Sequence, residues 1–267
     1  MDGSGDHRQF RTRLLSGLVA GNVLVALVIA LFLFQSRQFE TQQARLQAGN
    51  LADILEQHVS GQIHRIDLTL QAVVDEIEFR QGVQSGRVTK TVTDVLADHE
   101  KRLQDFAFLR VTDPSGLVVH GQGVVPERRA SIGDRPYFQK QRDDPGAGLS
   151  ISPPVVGKVS GLWSLGLARR INNPDGSFAG VVYAQIPLAN FARILTGIEV
   201  GPHGAVSLSD TDLAIITRHP EPGGLGSLAG RRYDAPELLQ FMAEGRRQGV
   251  YQATISIDGV ERTVAFR

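Results

Sequence analysis

The residues best suited to recognising a small molecule gather between Ser131 and Ile186. This segment opens SIGDRPYF and runs through a short polar stretch to SISPPVVGKVSGLWSLGLARRI. It then turns at Pro174-Asp175-Gly176 and closes on GVVYAQI. Small, aromatic and cationic residues on the two later stretches face back toward Arg135, Tyr137 and Phe138, which is the layout of a pocket. The chemistry on offer is binding of an anion by a guanidinium, whose planar fork matches a carboxylate.

These residues need a sheet and a helix start to hold them. Ser131-x-x-Asp134 has the form of a capping box, and Pro136 suits the first turn of a helix carrying Tyr137, Phe138 and Gln141. The Pro174-Asp175-Gly176 turn predicts a hairpin between 161–171 and 178–186. Strand alternation puts Trp163, Leu165 and Leu167 on one face and Ser164, Gly166 and Ala168 on the other, a small-residue face that leaves space. On the partner strand Val181, Tyr183 and Gln185 share a face, opposite Val182, Ala184 and Ile186. An earlier hairpin is predicted between 106–112 and 117–120, across Asp113-Pro114-Ser115-Gly116. Helices alternating with antiparallel hairpins predict an α+β fold.

Composition removes several classes of function. Among 267 residues, 28 Lys and Arg balance 28 Asp and Glu, so no excess of positive charge invites nucleic acid. With no cysteine there is neither a disulfide, a thiolate metal site nor a thiol nucleophile. The seven histidines are scattered without ligand spacing, and His58 and His64 are six apart, poorly placed to share a metal on a helix. No metal or cofactor is implied. Gly223-Gly224-x-Gly226 lacks the flanking strand and helix of a phosphate loop.

Leu14 to Phe34 forms an uncharged run of twenty-one residues, about the length that crosses ~30 Å of hydrocarbon as a helix. Arg8, Arg11 and Arg13 precede it, so the positive-inside rule predicts a cytoplasmic N-terminus (1–13), an uncleaved anchor (14–34) and an extracytoplasmic remainder. Gly17-x-x-x-Gly21 is a small-residue spacing that lets such helices pack closely. Beyond it, Leu51, Leu55, Val59, Ile63, Ile66, Leu70, Val73 and Ile77 recur at helical spacing. The stretch 35–80 therefore reads as a long stalk helix. Its part from Phe39 to Phe79 would extend ~60 Å, with a parallel homodimer contact in its sparsely apolar proximal half. After a turn-like stretch from Gly82 to Gly86, residues 91–103 read as a second amphipathic helix.

The remaining chain reads as a smaller version of the central region. A connecting helix (187–198), a hairpin (205–209 with 214–218), a helix (from Asp234 or Pro236 to Arg246) and a last hairpin (250–257 with 261–266) follow in order. That pattern predicts two lobes, 81–198 and 199–267.

The sequence DRPYF at 134–138, followed by GLWS at 161–164 and by PDGSFAGVVYAQI, resembles the double Cache, or tandem PAS-like, extracytoplasmic sensor domains of bacterial transmembrane receptors. It is most similar to those that precede diguanylate cyclase or histidine kinase modules. The resemblance runs from about Leu14 to the end of the chain, and it implies that the sheet of the second lobe is a strand short. It implies localisation at the bacterial inner membrane and a small-molecule ligand in the membrane-distal lobe, contacted by Arg135, Tyr137 and Phe138. In amino-acid-binding members an aspartate clamps the ammonium. Gln185 stands where that aspartate would be, and Ala130 replaces an earlier tyrosine, departures that disfavour an α-amino acid.

The expected ligand is thus an organic acid. Arg135 takes its carboxylate, Tyr137 and Tyr183 donate hydroxyls, Phe138 and Trp163 form apolar walls, and Ser164 and Gln185 discriminate polar groups. A plainer alternative makes Asp134 a helix cap, Arg135 its ion-pair partner and the aromatics ordinary core. A sensor input that passes a shift along the long helix to a cytoplasmic module is the leading function. A membrane-anchored dimerisation or protein-interaction module is the alternative. No nucleophile elbow, Ser-His-Asp order or carboxylate pair recommends an enzyme.

Overall fold

The computed structural model describes residues 4–82, 91–223 and 228–267, without the side chains at 4–20, 23, 26 and 82. The turn expected at Gly82–Gly86 and most of the run Gly223-Gly224-x-Gly226 lie outside these. So do the side chains of the N-terminal arginines, of Gly17 and of part of the expected membrane span.

A single helix, α1 (Ser4–Gly82), spans 79 residues. No proline interrupts it, and its glycines at 21, 49 and 61 meet nothing within contact range, so they lower propensity without breaking the helix. The stretch read as a stalk is thus continuous with the apolar run before it. Among the described residues, no helix is long and apolar enough to cross a membrane.

Helix α2 (Val92–Arg102) begins at a reciprocal capping box. Thr91 Oγ1 accepts from Asp94 N (3.2 Å) while Asp94 Oδ2 accepts from Thr91 N (2.8 Å). The strands that follow are β1 (Phe108–Thr112), β2 (Val118–Gly121), β3 (Ser150–Ile151), β4 (Val155–Val156), β5 (Trp163–Asn172) and β6 (Phe178–Pro187). They form one six-stranded antiparallel sheet in the order β2-β1-β6-β5-β3, with β4 also paired to β5. The two hairpins expected here match β1–β2 and β5–β6.

Two cores flank this sheet, as the alternation requires. Leu165, Leu167, Val182, Ala184 and Ile186 face α1 and bury Ile66, Leu70, Val73 and Ile77. Each of those four side chains contributes about 1.5–3 kcal/mol on burial. Arg169 fixes the register of helix on sheet through a bidentate pair with Asp67 (2.5 and 2.9 Å), and Asn172 N donates to Glu78 Oε1 (2.7 Å). The opposite face packs Ala168, Val181 and Tyr183 against Val118, Ile132, Tyr137 and Phe138. Helix α3 (Pro136–Asp143), which carries the last two, lies on this side.

Helix α4 (Leu188–Thr196) connects to two further hairpins, β7 (Val206–Ser209) with β8 (Ile215–His219) and β9 (Gly249–Thr254) with β10 (Glu261–Phe266). Between them in sequence lies α5 (Pro236–Ala243). The expected second sheet is split, because the two hairpins form separate two-stranded sheets. A cleft of about 1080 Å³ lies between them, lined along β7 and from Arg262 to Phe266 of β10 and backed by Leu51, Leu55 and Val59 of α1. Ile216 nevertheless belongs to the main core, so the two regions share packing.

Candidate ligand-binding site

Helix α3 does not begin as the sequence suggested. Its N-cap is Arg135, with no side-chain cap, and Ser131 Oγ accepts from Gly133 N instead (3.3 Å). Asp134 is neither a helix cap nor a partner of Arg135. It points outward to Lys158 Nζ (2.6 Å), and that hydrogen bond holds its pKa below the ordinary carboxylate value. The capping box fails because Pro136 occupies the first helical position and removes one of the N–H groups needing a cap.

The helix is located from both ends. Its approach is set by Gly116, at φ +88°, whose Cα lies so close to Gly133 that an added Cβ would sit 2.5 Å from that residue's Cα. Only glycine combines this conformation with that approach. Further along, buried Gln141 donates to Gly148 O (2.7 Å), Ser150 Oγ (2.8 Å) and Ala168 O (3.1 Å), seating α3 on the strands.

Five of the seven expected residues converge. Arg135, Tyr137, Ser164, Tyr183 and Gln185 line one small cavity with Ile132, Val155, Val156, Gly157, Lys158 and Gly166. Its volume is about 20 Å³, room for one water and little more. The space expected over the small-residue face is filled by the Tyr137 ring, which lies in van der Waals range of any Cβ placed at Gly166. Tyr137 and Tyr183 approach with ring centroids 6.4 Å apart.

Two residues stand elsewhere. Phe138 is buried under β2, edge-on to Phe178 at 5.7 Å. Trp163 is 43% exposed and lies against Gly230 in the C-terminal region. Alternation assigns a face, but Trp163 opens its strand, where the sheet no longer covers it.

The residue that sequence reasoning missed is Arg110 of β1. It is only 3% exposed, and its neighbour across the ladder is Tyr183. Nη1 donates to Gln185 Oε1 (2.5 Å) and Nε to Gln122 O (3.0 Å). Among the described residues it has no ion-pair partner. Gln185 then donates from Nε2 to Ser160 Oγ (2.5 Å) and Ser164 Oγ (3.0 Å). The turn at 157–161 closes over this amide so tightly that a Cβ on Gly157 would lie 1.7 Å from Nε2. The signal for Arg110 was a lone cation inside the apolar strand FAFLRVT, a position that needs a buried partner.

The electrostatics favour an anion. Arg135 and Lys158 line the cavity, Lys158 being paired outward with Asp134, Arg110 lies behind Gln185, and no acidic residue lines it. Burial pushes the Tyr183 hydroxyl up to about 12 against the opposing pull of Arg110, and burial raises Tyr137 further. Both stay neutral hydroxyls at physiological pH, available as donors. Arg135, partly exposed, spends one N–H on Val156 O (2.9 Å). Among the described residues no three His, Asp or Glu side chains stand together to hold a metal.

No protein-family model and no curated protein matches the sequence. Solved structures do. The extracellular domain of rpHK1S-Z16, assigned as a histidine kinase, superposes with a TM-score of 0.72 at 24% identity, over 84% of this chain and 89% of that one. The ligand-binding domain of the Pseudomonas fluorescens chemoreceptor CtaA, solved with L-isoleucine, gives 0.60 at 15% identity over 86% and 87%. That of the Campylobacter jejuni chemoreceptor Tlp3, with 4-methylisoleucine, gives 0.59 at 12% over 83% and 85%. The fold is that of an extracellular sensor domain. In this sensor fold the long helix and antiparallel sheets correspond to the architecture that the DRPYF and GLWS motifs suggested. Two of these neighbours are ligand-binding domains of chemoreceptors and the third is an extracellular domain.

Proposed function

We propose that this chain is the extracytoplasmic input of a membrane-bound signal-transduction receptor and that it senses a small carboxylate in its first lobe, 81–198. The observation that carries the reading is the small cavity of the sensor fold, lined by Arg135 and Lys158 and by no acid, with the buried Arg110 behind Gln185. A carboxylate satisfies both guanidinium and hydroxyl donors there. An α-amino acid, as bound by the chemoreceptor neighbours, would bring an ammonium that meets no countercharge, since Gln185 is neutral.

The reading extends to 14–34 as a membrane anchor and to 35–80 as the transmitting helix, with 199–267 as a second lobe and the chains paired in parallel along α1. What supports it is the exposed apolar surface of α1 at Leu24, Leu27, Val28, Leu31, Phe32 and Phe34, which water alone would not favour. Ligand binding would then shift the packing of the first lobe on α1, provided the ligand prefers one packing over the other. The output would be a cytoplasmic cyclase or kinase module.

The test is thermal unfolding of the full chain in detergent against small carboxylates, amines and purines, followed by the emission of its single tryptophan, Trp163. A carboxylate at ~100 times its dissociation constant should add ~2.7 kcal/mol of stability. Arg135→Ala should reduce that gain. Stabilisation by amines alone would reject the carboxylate reading.

A further inference from the structure

We infer that Arg110 is the anchor for the ligand's carboxylate and that Gln185 is a built-in stand-in which occupies that anchor in this structure. The inference rests on the carboxylate-sensing reading above and names the group that does the binding.

A guanidinium buried to 3% exposure is costly unless a negative charge answers it, yet the hydrogen-bond partners of Arg110, namely Gln185 Oε1, Gln122 O and the Tyr183 hydroxyl, are all neutral. Glu100 is close enough for Arg110 to favour its ionised form, but its carboxylate is engaged by Leu109 N at 2.6 Å and burial leaves its pKa raised. Among the described residues, therefore, no carboxylate forms an ion pair with this buried cation.

Gln185 has the shape of the answer without its charge. Its Oε1 sits where a carboxylate oxygen would meet Arg110, and its Nε2 holds Ser160 and Ser164. An incoming carboxylate has the stronger claim on Arg110, because a charge-assisted pair outweighs one with a neutral amide. Displacement frees the two serine hydroxyls and releases the 157–161 turn from its contact with the amide, which widens a cavity now only about 20 Å³ in volume. Trp163 lies beside Ser164 and rests on Gly230, so movement of this turn reaches the C-terminal region directly. Arg135, with its remaining N–H groups at the rim, orients the ligand as it enters.

The experiment measures binding of acetate, lactate and succinate to the full chain in detergent, with acetamide as the neutral control and Trp163 emission as a second readout. Arg110→Gln and Arg110→Lys, each checked for folding by circular dichroism, should weaken carboxylate binding by roughly thirtyfold or more. Gln185→Glu tethers a carboxylate to the anchor. It should raise the melting temperature without added ligand and abolish the carboxylate-induced shift.

If folded Arg110→Lys binds as the parent does while Arg135→Ala does not, the anchor is wrong and the carboxylate reading survives. If Gln185→Glu lowers the melting temperature and leaves carboxylate binding intact, the stand-in role is overturned. If no carboxylate binds the parent and Gln185→Glu gives no stabilisation, both readings fall.

Discussion

Each half of the globular part contains a buried arginine, and the two are treated differently. Arg110, in the first sheet, meets a glutamine. Arg218, in β8, meets a carboxylate: Nη2 donates to Asp258 Oδ2 at 2.5 Å, and Asp258 Oδ1 takes Arg262 Nη1 at 2.7 Å. The exposures of the two arginines are similar, 3% and 7%. The second cation is therefore spent on architecture, tying β8 to the β9–β10 turn across a cleft that no ladder closes. The first is surrounded by a completed sheet that needs no such tie, and its charge is left for something else.

Removing the carboxylate of the second site is the harshest test of this contrast. Asp258→Asn would leave Arg218 buried beside Arg262 with no countercharge, and Arg218 Nε already lacks an acceptor. Breaking such a pair costs about 3 kcal/mol or more. Denaturant unfolding should show a loss of that size, with exchange fastest in the two C-terminal hairpins. A loss below about 1 kcal/mol would mean that the apolar contacts around Phe241, Tyr251 and Phe266 hold this region without the ion pair.

The two arginines also divide what could be read from sequence. Strand alternation at 162–170 and 181–186 correctly assigned both faces of the first sheet, because each face has its own core and a one-residue slip would exchange them. The motif around Arg135 led to one wall of the cavity for the same reason: unusual residue types stood at close spacing. Arg110 lies seventy-five positions from its partner Gln185, and no local pattern links them. The split of the C-terminal sheet was equally hidden, since each hairpin has its own turn chemistry but their mutual pairing is a long-range matter. Asp134 misled because capping statistics concern hydrogen-bond need, which Pro136 had already reduced.

Acid should sharpen the contrast, with a smaller effect. Hydrogen bonding from Arg262, together with the Val260 N–H and the charge of Arg218, holds Asp258 below the usual value of 3.8. A carboxylate whose folded pKa is depressed contributes its full stability above the unfolded value and loses it as pH falls through the folded one. Between neutrality and about pH 4 the C-terminal hairpins should keep their protection from exchange, and below that they should lose it progressively. The loss should be less than in Asp258→Asn, because the depressed pKa keeps part of the population ionised. In that variant the acid dependence of exchange at 255–262 should flatten. Arg110 has no ion-pair partner among the described residues, so no comparable loss of a tie is expected there.

Gln185→Ala should have the smallest effect on stability. It removes one neutral acceptor from Arg110 and two donors from Ser160 and Ser164, yet the truncated side chain opens onto a cavity, lined by Ser164, that already has room for a water. Truncating the amide enlarges that space, so solvent can replace the lost hydrogen bonds, and the cost should be about 1 kcal/mol. The same substitution clears the anchor, so a carboxylate that binds the parent should bind the variant at least as tightly, by isothermal titration. A cost approaching that of Asp258→Asn, with binding lost, would place Gln185 beside Asp258 as a structural partner. The two arginines would then differ only in the charge of their ties, and Arg110 would be no more available to a ligand than Arg218.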